Sequence, residues 1–282
     1  MLTMKCLNKN SVLLVLALLL STLCQADGIS WNRERAEKLE SGTGTAFAMD
    51  QLDARMTWLK DENREEQLSG QVRISRTEFA WRGANALAET YYWLAVPLAY
   101  QQRRGRNWAV VAQIEPGVLS DGHLDESKVF YADAQAAVRY FHNKDSFWQL
   151  GAVVSRDFGD SEIYPQAAFS FKPDRITQVQ LGFPYSHIQA NWTPLVASYA
   201  RLAPAGGLWR EKLTTGKVGE VQYRSWQLAT GMDFLWRDGL WWNVELGGLF
   251  KRSIRAHDAA GAVVRATPKN SPYWSLGLKY EF

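Results

Sequence analysis

The chain has 282 residues, with 13 Trp, 11 Tyr and 12 Phe making 13% aromatic, yet its mean hydropathy is only −0.28. Formal charge is +3, from 32 Lys+Arg against 29 Asp+Glu. This near balance excludes a general nucleic-acid binder, which carries a basic excess on one face, and the length allows one domain or two.

Residues 1–26 read as a secretory signal peptide. Lys5 and Lys9 precede the apolar run from Val12 to Leu20, and a small residue, Ala26, stands at the expected cut. The run is too short and wrongly flanked to span a membrane as a helix. Cys24 would be the acylated residue of a lipoprotein, but the preceding Leu23 is larger than that pattern wants. Cys6 and Cys24 are the only cysteines, and both leave with the signal. The mature chain then has no disulfide framework and no thiol chemistry. Its formal charge falls to +1, because 32 minus the two lysines leaves 30 against 29. After the signal no apolar run approaches the roughly 20 residues of a spanning helix. Abundant aromatics without such a run suit a barrel whose strands alternate lipid-facing and lumen-facing side chains.

Residues 27–67 are read as an N-terminal periplasmic segment or an extra strand. Arg33–Glu40 is charged and helix-compatible, Thr43–Leu59 suits a strand or an amphipathic piece, and Lys60–Glu66 is a charge run of the kind found in solvated loops. From Leu68 to Phe282 a period of two recurs, the spacing of a strand with one apolar face. Val72 and Ile74 oppose Arg73 and Ser75. Leu94, Val96 and Leu98 follow, then Trp108, Val110, Ala112 and Ile114. Ala132, Ala134, Ala136, Val138 and Tyr140 oppose Asp133, Gln135 and Arg139, and Trp148, Leu150, Ala152 and Val154 come next. Turn residues separate the runs, as at Asn143-Lys144, Pro173-Asp174, Pro204–Gly207 and Asp238-Gly239.

In the run Tyr223–Trp236, one face carries Trp226, Leu228, Thr230, Met232, Phe234 and Trp236. Its two tryptophans are ten residues apart, about 33 Å along a strand. At a tilt of about 40° this is about 25 Å of height, the thickness of an apolar band between two aromatic girdles. Trp242 and Phe250 bracket the next strand, and Trp274 opens the last, so Trp226, Trp236, Trp242, Phe250 and Trp274 are the expected girdle. The opposite face carries Gln227, Asp233, Asn243, Glu245 and Lys251.

The final twelve residues alternate from Trp274 onward, through Leu276, Leu278 and Tyr280, and end on Phe282. Ser275, Gly277, Tyr280 and Phe282 resemble the C-terminal assembly signal of bacterial outer-membrane β-barrels. The resemblance implies secretion to the periplasm, insertion by the barrel-assembly machinery, and contact with outer-membrane lipid and lipopolysaccharide. Tyr164-Pro165, Asp174 and the run from Gln180 to Tyr185 resemble an uncharacterised family of bacterial outer-membrane barrels, a domain of unknown function, which implies a fold and a location but no activity.

In such barrels both chain ends lie in the periplasm, turns there are short and outer loops are longer. Counting back from Phe282 gives an all-β, antiparallel, up-and-down transmembrane barrel of about twelve strands (10–14). Arg175–Trp192 counts as one long strand with Pro184 at a bulge, and Pro204–Gly207 as an inner turn. Reading Pro184 as a turn breaks the parity or requires Thr43–Leu59 as a further strand. A monomer is expected.

The residues offer little catalytic chemistry. His142 and His257 sit by turns or in loops. Ser186 and His187 are adjacent, so on a strand they point to opposite faces and cannot form a dyad with each other. Asp121–Glu126 is acidic but lacks the ligand order of a Ca²⁺ loop. No nucleotide fingerprint, zinc motif or cofactor signature is present. The functional surface is the lumen, where Glu89, Glu115, Asp133, Arg139, Asp233, Glu245 and Lys279 are expected to face inward. These charges either pair and fill the interior or line a small passive pore. The alternatives are a lipid-active hydrolase and a surface-binding barrel.

Overall fold

A computed structural model describes residues 26–40, 46–63, 65–82, 90–122, 129–213, 216, 218–257 and 262–280. The signal-peptide segment, Glu89, most of the acidic Asp121–Glu126 loop and Phe282 lie outside the described residues.

The strands are β1 (Ala26–Glu34), β2 (Glu37–Lys38), β3 (Ala46–Glu62), β4 (Glu66–Arg82), β5 (Thr90–Ala95), β6 (Leu98–Arg104), β7 (Trp108–Ser120), β8 (Phe130–Asn143) and β9 (Ser146–Val154). There follow β10 (Tyr164–Phe171), β11 (Thr177–Phe183), β12 (Ser186–Thr193), β13 (Val196–Pro204), β14 (Gly207–Lys212), β15 (Val218–Arg237), β16 (Leu240–His257), β17 (Val263–Ala266) and β18 (Ser271–Tyr280). All pairings are antiparallel, and β18 closes the ring on β1, from Gly28 opposite Lys279 to Glu34 opposite Tyr273. β1 with β2, β5 with β6, β13 with β14 and β17 with β18 each share one position in the wall. The result is a closed barrel of fourteen staves. Closure satisfies every edge, which an open sheet in lipid could not do.

Three differences separate fourteen from the expected twelve. Residues 27–67, read as a periplasmic segment or an extra strand, supply two staves of the wall, β1 and β3, and the helix-compatible Arg33–Glu40 is strand to Glu34 and again at Glu37–Lys38. Pro184 is not a bulge in one strand but lies in the tight turn between β11 and β12. Pro204–Gly207 is not a turn, because β13 and β14 both pair with β15, from Val196 opposite Phe234 up to Lys212 opposite Val218. The last two differences cancel in the strand count, and the first adds a pair, so the parity is unchanged. Short turns at 105–107, 144–145, 194–195 and 238–239 lie at the end of the barrel that holds the C-terminus, the periplasmic end of this fold.

The outer face is apolar, and at the short-turn end it is ringed by exposed Trp108, Trp148, Trp192, Trp236 and Trp242. Trp236 and Trp242 lie 5.8 Å apart between ring centres. Trp226 pairs across strands with Phe250, and Trp274 meets Trp31 at 4.7 Å, both at a higher level. Between these levels Leu228, Met232, Phe234, Val244 and Leu246 are exposed. A soluble protein does not leave a contiguous apolar belt of this kind in water.

The wall narrows toward the other end. β9 stops at Val154 and β10 resumes at Tyr164, while β11 and β12 turn back at Pro184 and Tyr185. Above that level four staves are gone, so fourteen minus four leaves ten. β14 pairs with β15 along one edge and leans toward β7 and β8. There Arg210 donates to the Phe130 carbonyl at 3.1 Å, and the Lys212 amide donates to Asp121 at 3.0 Å.

The narrowed end is filled. Phe47, Met49, Phe79, Tyr91, Trp209, Val221, Tyr223 and Ile254 form one buried cluster, with Trp93, Leu119 and Leu208 in a second. A bulge shapes it. Pairing slips between Arg224 and Trp226, and opposite the slip Lys251 takes a φ of 52°, which non-glycine residues adopt rarely. The slip reverses which residues of β16 face inward. Glu245 and Leu249 are buried below it, Arg252, Ile254 and Ala256 above it. Lys251, expected on the lumen face, stands at this bulge and is exposed.

Candidate functional site

Inward side chains of β1, β3, β13, β15, β16 and β18 surround a cavity of about 1260 Å³. It runs from Lys60, Lys279 and Tyr280 at the short-turn end up to Gly206 and Asp157, beneath the apolar dome. A second cavity of about 250 Å³ lies against β7, β8 and β9, lined by Glu115, Asp133 and Tyr185 among others. Arg55, Gln71, Arg73 and Asp157 line both cavities and so form the neck between them.

The sequence places three of these groups on strands. Alternation along β3 sends Phe47, Met49, Gln51 and Asp53 inward and Leu52 outward, and Arg55 falls on the inward phase opposite Arg73 of β4. Arg73 is held between two carboxylates, Asp53 and Glu115, each at 3.3 Å. Glu115 also accepts from the Trp93 indole at 2.9 Å. Asp157 arrives differently, on the connection between β9 and β10.

That connection fills the step in the wall left by the short staves. Ser155 caps a 3₁₀ turn, Arg156–Phe158, accepting from the Asp157 amide at 3.2 Å, and Gly159 ends it in the left-handed region at φ 73°. The Asp157 carbonyl accepts from the Gly206 amide at 2.7 Å. Asp160 pairs with Arg224 at 2.9 Å and accepts from the Tyr164 hydroxyl at 2.6 Å. A side chain at Gly206 would put its Cβ 2.2 Å from the Tyr223 carbonyl oxygen and 2.6 Å from that of Asp157, so only glycine permits this approach. Outside, Phe158 stacks on Tyr164 at 4.0 Å and meets Phe183 at 6.3 Å. Inside, the Arg156 guanidinium lies over Trp93 at 4.9 Å and Trp209 at 6.0 Å, while its amide donates to Asp133 at 2.7 Å. Burial pushes the Arg156 guanidinium below the ordinary arginine range and the nearby Arg73 adds to this, against the pull of Asp157 and Asp133. Burial likewise pushes the Tyr185 phenol up.

The residues expected in the lumen fall into separate groups. Glu115 and Asp133 line the small cavity, and Asp233, Glu245 and Lys279 the large one. Glu245 is the hub of its wall, accepting from Arg201 at 2.7 and 2.8 Å, Tyr273 at 2.5 Å and Tyr199 at 2.9 Å. Asp233 accepts from Asn243 at 2.7 Å. Arg139 lines neither cavity; it donates to Gln149 at 2.7 Å and Gln101 at 2.5 Å. Ser186 closes the β11–β12 turn, bonding the Gly182 amide at 3.0 Å and its carbonyl at 2.9 Å, while His187 faces the large cavity near Tyr199. Sequence reasoning missed Asp53, Arg55 and Asp157. The first two sat in the segment read as a periplasmic extension or an extra strand, and the third in a loop with no readable phase.

A solved structure of the same architecture is the COG4313 outer membrane channel from Pseudomonas putida F1. It is 11% identical, covers 92% of this chain and 96% of its own, and superposes with a TM-score of 0.51. The chain has the fold of a bacterial outer-membrane β-barrel. The KdgM porin, solved in complex with disordered oligogalacturonate, and the NanC porin match less well, with TM-scores of 0.39 and 0.41 and identities of 10% and 6%. They cover 90% of this chain each, and 99% and 100% of their own. No protein-family model and no curated protein matches the chain. The closed wall and its exposed apolar belt place this outer-membrane barrel in the bacterial outer membrane.

Proposed function

We propose that this barrel is a passive outer-membrane channel for small polar solutes, resting in a state closed at its outer end. The observation that carries the reading is the large polar cavity, which reaches the short-turn end and shares Arg55, Gln71, Arg73 and Asp157 with the smaller one. A barrel that serves only as a scaffold gains nothing from about 1260 Å³ of unfilled interior, since close packing is the default of protein interiors. The solved channel of the same architecture supports the reading by its fold alone. The chain would act as a monomer, delivered by its signal peptide and inserted by the barrel-assembly machinery through Ser275, Gly277, Tyr280 and Phe282. Trp226, Trp236, Trp242, Phe250 and Trp274 would bound its contact with lipid and lipopolysaccharide.

The apolar dome favours one rival, a filled structural barrel. Swelling of liposomes in D-arabinose separates the two. The channel reading expects slow swelling with the wild-type protein and faster swelling when Trp209→Ala thins the dome. No swelling with either protein leaves the structural barrel.

A further inference from the structure

The neck carries one cation and one carboxylate that the fold leaves unused. Arg55 and Asp157 both border the two cavities, and they do not form an ion pair with each other. The neighbouring guanidinium groups are placed differently. Arg73 is clamped between Asp53 and Glu115, and Arg156, whose Nε and Nη1 have no hydrogen-bond partner among the described residues, is buried against Trp93 and Trp209 and lines neither cavity. Neither the Arg55 guanidinium nor the Asp157 carboxylate has a hydrogen-bond or ion-pair partner among the described residues. Both are nevertheless held in place. Arg55 sits mid-strand on β3, and the Asp157 backbone is pinned by Ser155 on one side and Gly206 on the other.

An unpaired guanidinium and an unpaired carboxylate that border the same two cavities match a molecule that carries both signs. Charge balance narrows the class. Arg55, Arg73 and the adjacent Arg156 contribute three positive charges around the neck, and Asp53, Glu115, Asp133 and Asp157 four negative ones. A free anion therefore enters a site already negative by one, and a free cation must approach the guanidinium groups. A solute with no net charge disturbs neither. Its carboxylate matches the fork of Arg55 and its ammonium the acceptors of Asp157. Size narrows it further. The cavity beyond the neck, about 250 Å³, falls just under the range of ordinary small-molecule pockets, about 300–1,000 Å³.

We infer that Arg55 and Asp157 form a binding site for a small zwitterion, an amino acid or dipeptide, where the two cavities adjoin. The inference rests on the channel reading for the route by which the solute arrives.

Titration calorimetry of the purified barrel in detergent tests it with three ligands of one shape. L-alanyl-L-alanine carries both charges, its N-acetyl derivative lacks the ammonium, and its amide lacks the carboxylate. The dipeptide should bind saturably, and each derivative about tenfold more weakly, as the loss of one charge-assisted contact implies. Arg55→Gln should weaken the dipeptide to the level of the amide and leave the amide itself unchanged. Asp157→Asn should do the same with respect to the N-acetyl derivative. Equal affinity for all three ligands, or no saturable binding of the dipeptide, overturns the site, and the three-ligand comparison needs only the wild-type protein. Arabinose swelling reports separately on conduction. A barrel that binds the dipeptide but passes no sugar refutes the channel and keeps the site, and the reverse result refutes the site alone.

Discussion

The most exacting energetic claim concerns Arg252. Its side chain is 0% exposed and that of its partner Glu34 4%, at 2.6 Å, where the last residue of β1 meets the upper, phase-shifted part of β16. The guanidinium donates to three acceptors: Glu34, the Tyr223 hydroxyl at 2.9 Å and the Lys269 carbonyl at 2.7 Å. Tyr223 in turn donates to the other oxygen of Glu34 at 3.0 Å. Arg252→Met keeps most of the volume and removes every one of these donors. It leaves a carboxylate in the dome with a single phenol for company. Breaking a buried pair from one side costs about 3–5 kcal/mol, a large share of the roughly 5–15 kcal/mol that holds an ordinary domain together. Adding Glu34→Met removes the stranded charge, and replacing both partners by apolar groups of similar size is often neutral. The double variant should therefore recover at least half of the loss. Reversible urea unfolding in detergent, followed by tryptophan fluorescence, measures all four members of the cycle. A single variant that costs under about 1 kcal/mol, or a double variant no more stable than the single, refutes the reasoning, because either means that water reaches the pair.

Three further outcomes are expected. Leu246→Arg puts a cation at the middle of the exposed belt, four residues from both Trp242 and Phe250, where Leu246 is 59% exposed; it should cost about 2–4 kcal/mol in a lipid-embedded barrel, whereas within about 0.5 kcal/mol of neutral would mark an ordinary wet surface. Gly206→Ala should lift the 155–163 connection off β14 and expose Arg156 to trypsin, while Gly248→Ala, where an added Cβ meets open space, should leave it protected; equal protection in both variants would show that the close approach is unimportant. Phe282→Ser should lower the amount of protein recovered in the outer-membrane fraction, and an unchanged yield would count against the assembly signal.

Much of the fold was legible because lipid on one side and water on the other impose a period of two on every stave. The aromatic bracketing at Trp226, Trp236, Trp242 and Phe250 follows from that alone, and so does the inward position of Glu245. Period alone does not reveal where a stave ends. Pro184 interrupts a run of alternating residues that reads equally well as one bulged strand, and Gly206-Gly207 looks like a turn although the chain runs straight on. Both depend on which neighbour each stretch pairs with, which is long-range information. The phase reversal at Lys251 is of the same kind. Nothing local announces it, yet it is what turns Arg252 from an outward residue into the buried partner of Glu34.

The same irregularities make the barrel more than a uniform tube. The tight turn at Pro184 keeps β11 and β12 short, and their shortness opens the step in the wall. A connection folded inward closes the step and brings Asp157 to the wall of the two cavities that Arg55 also lines. Had the fourteen staves been of equal height, the dome would have no taper, the connection would project into the medium, and the neck would be lined by strand residues alone. The carboxylate between the two cavities is thus a consequence of strand length, and Asp157 reaches it because Gly206 lets the backbones touch.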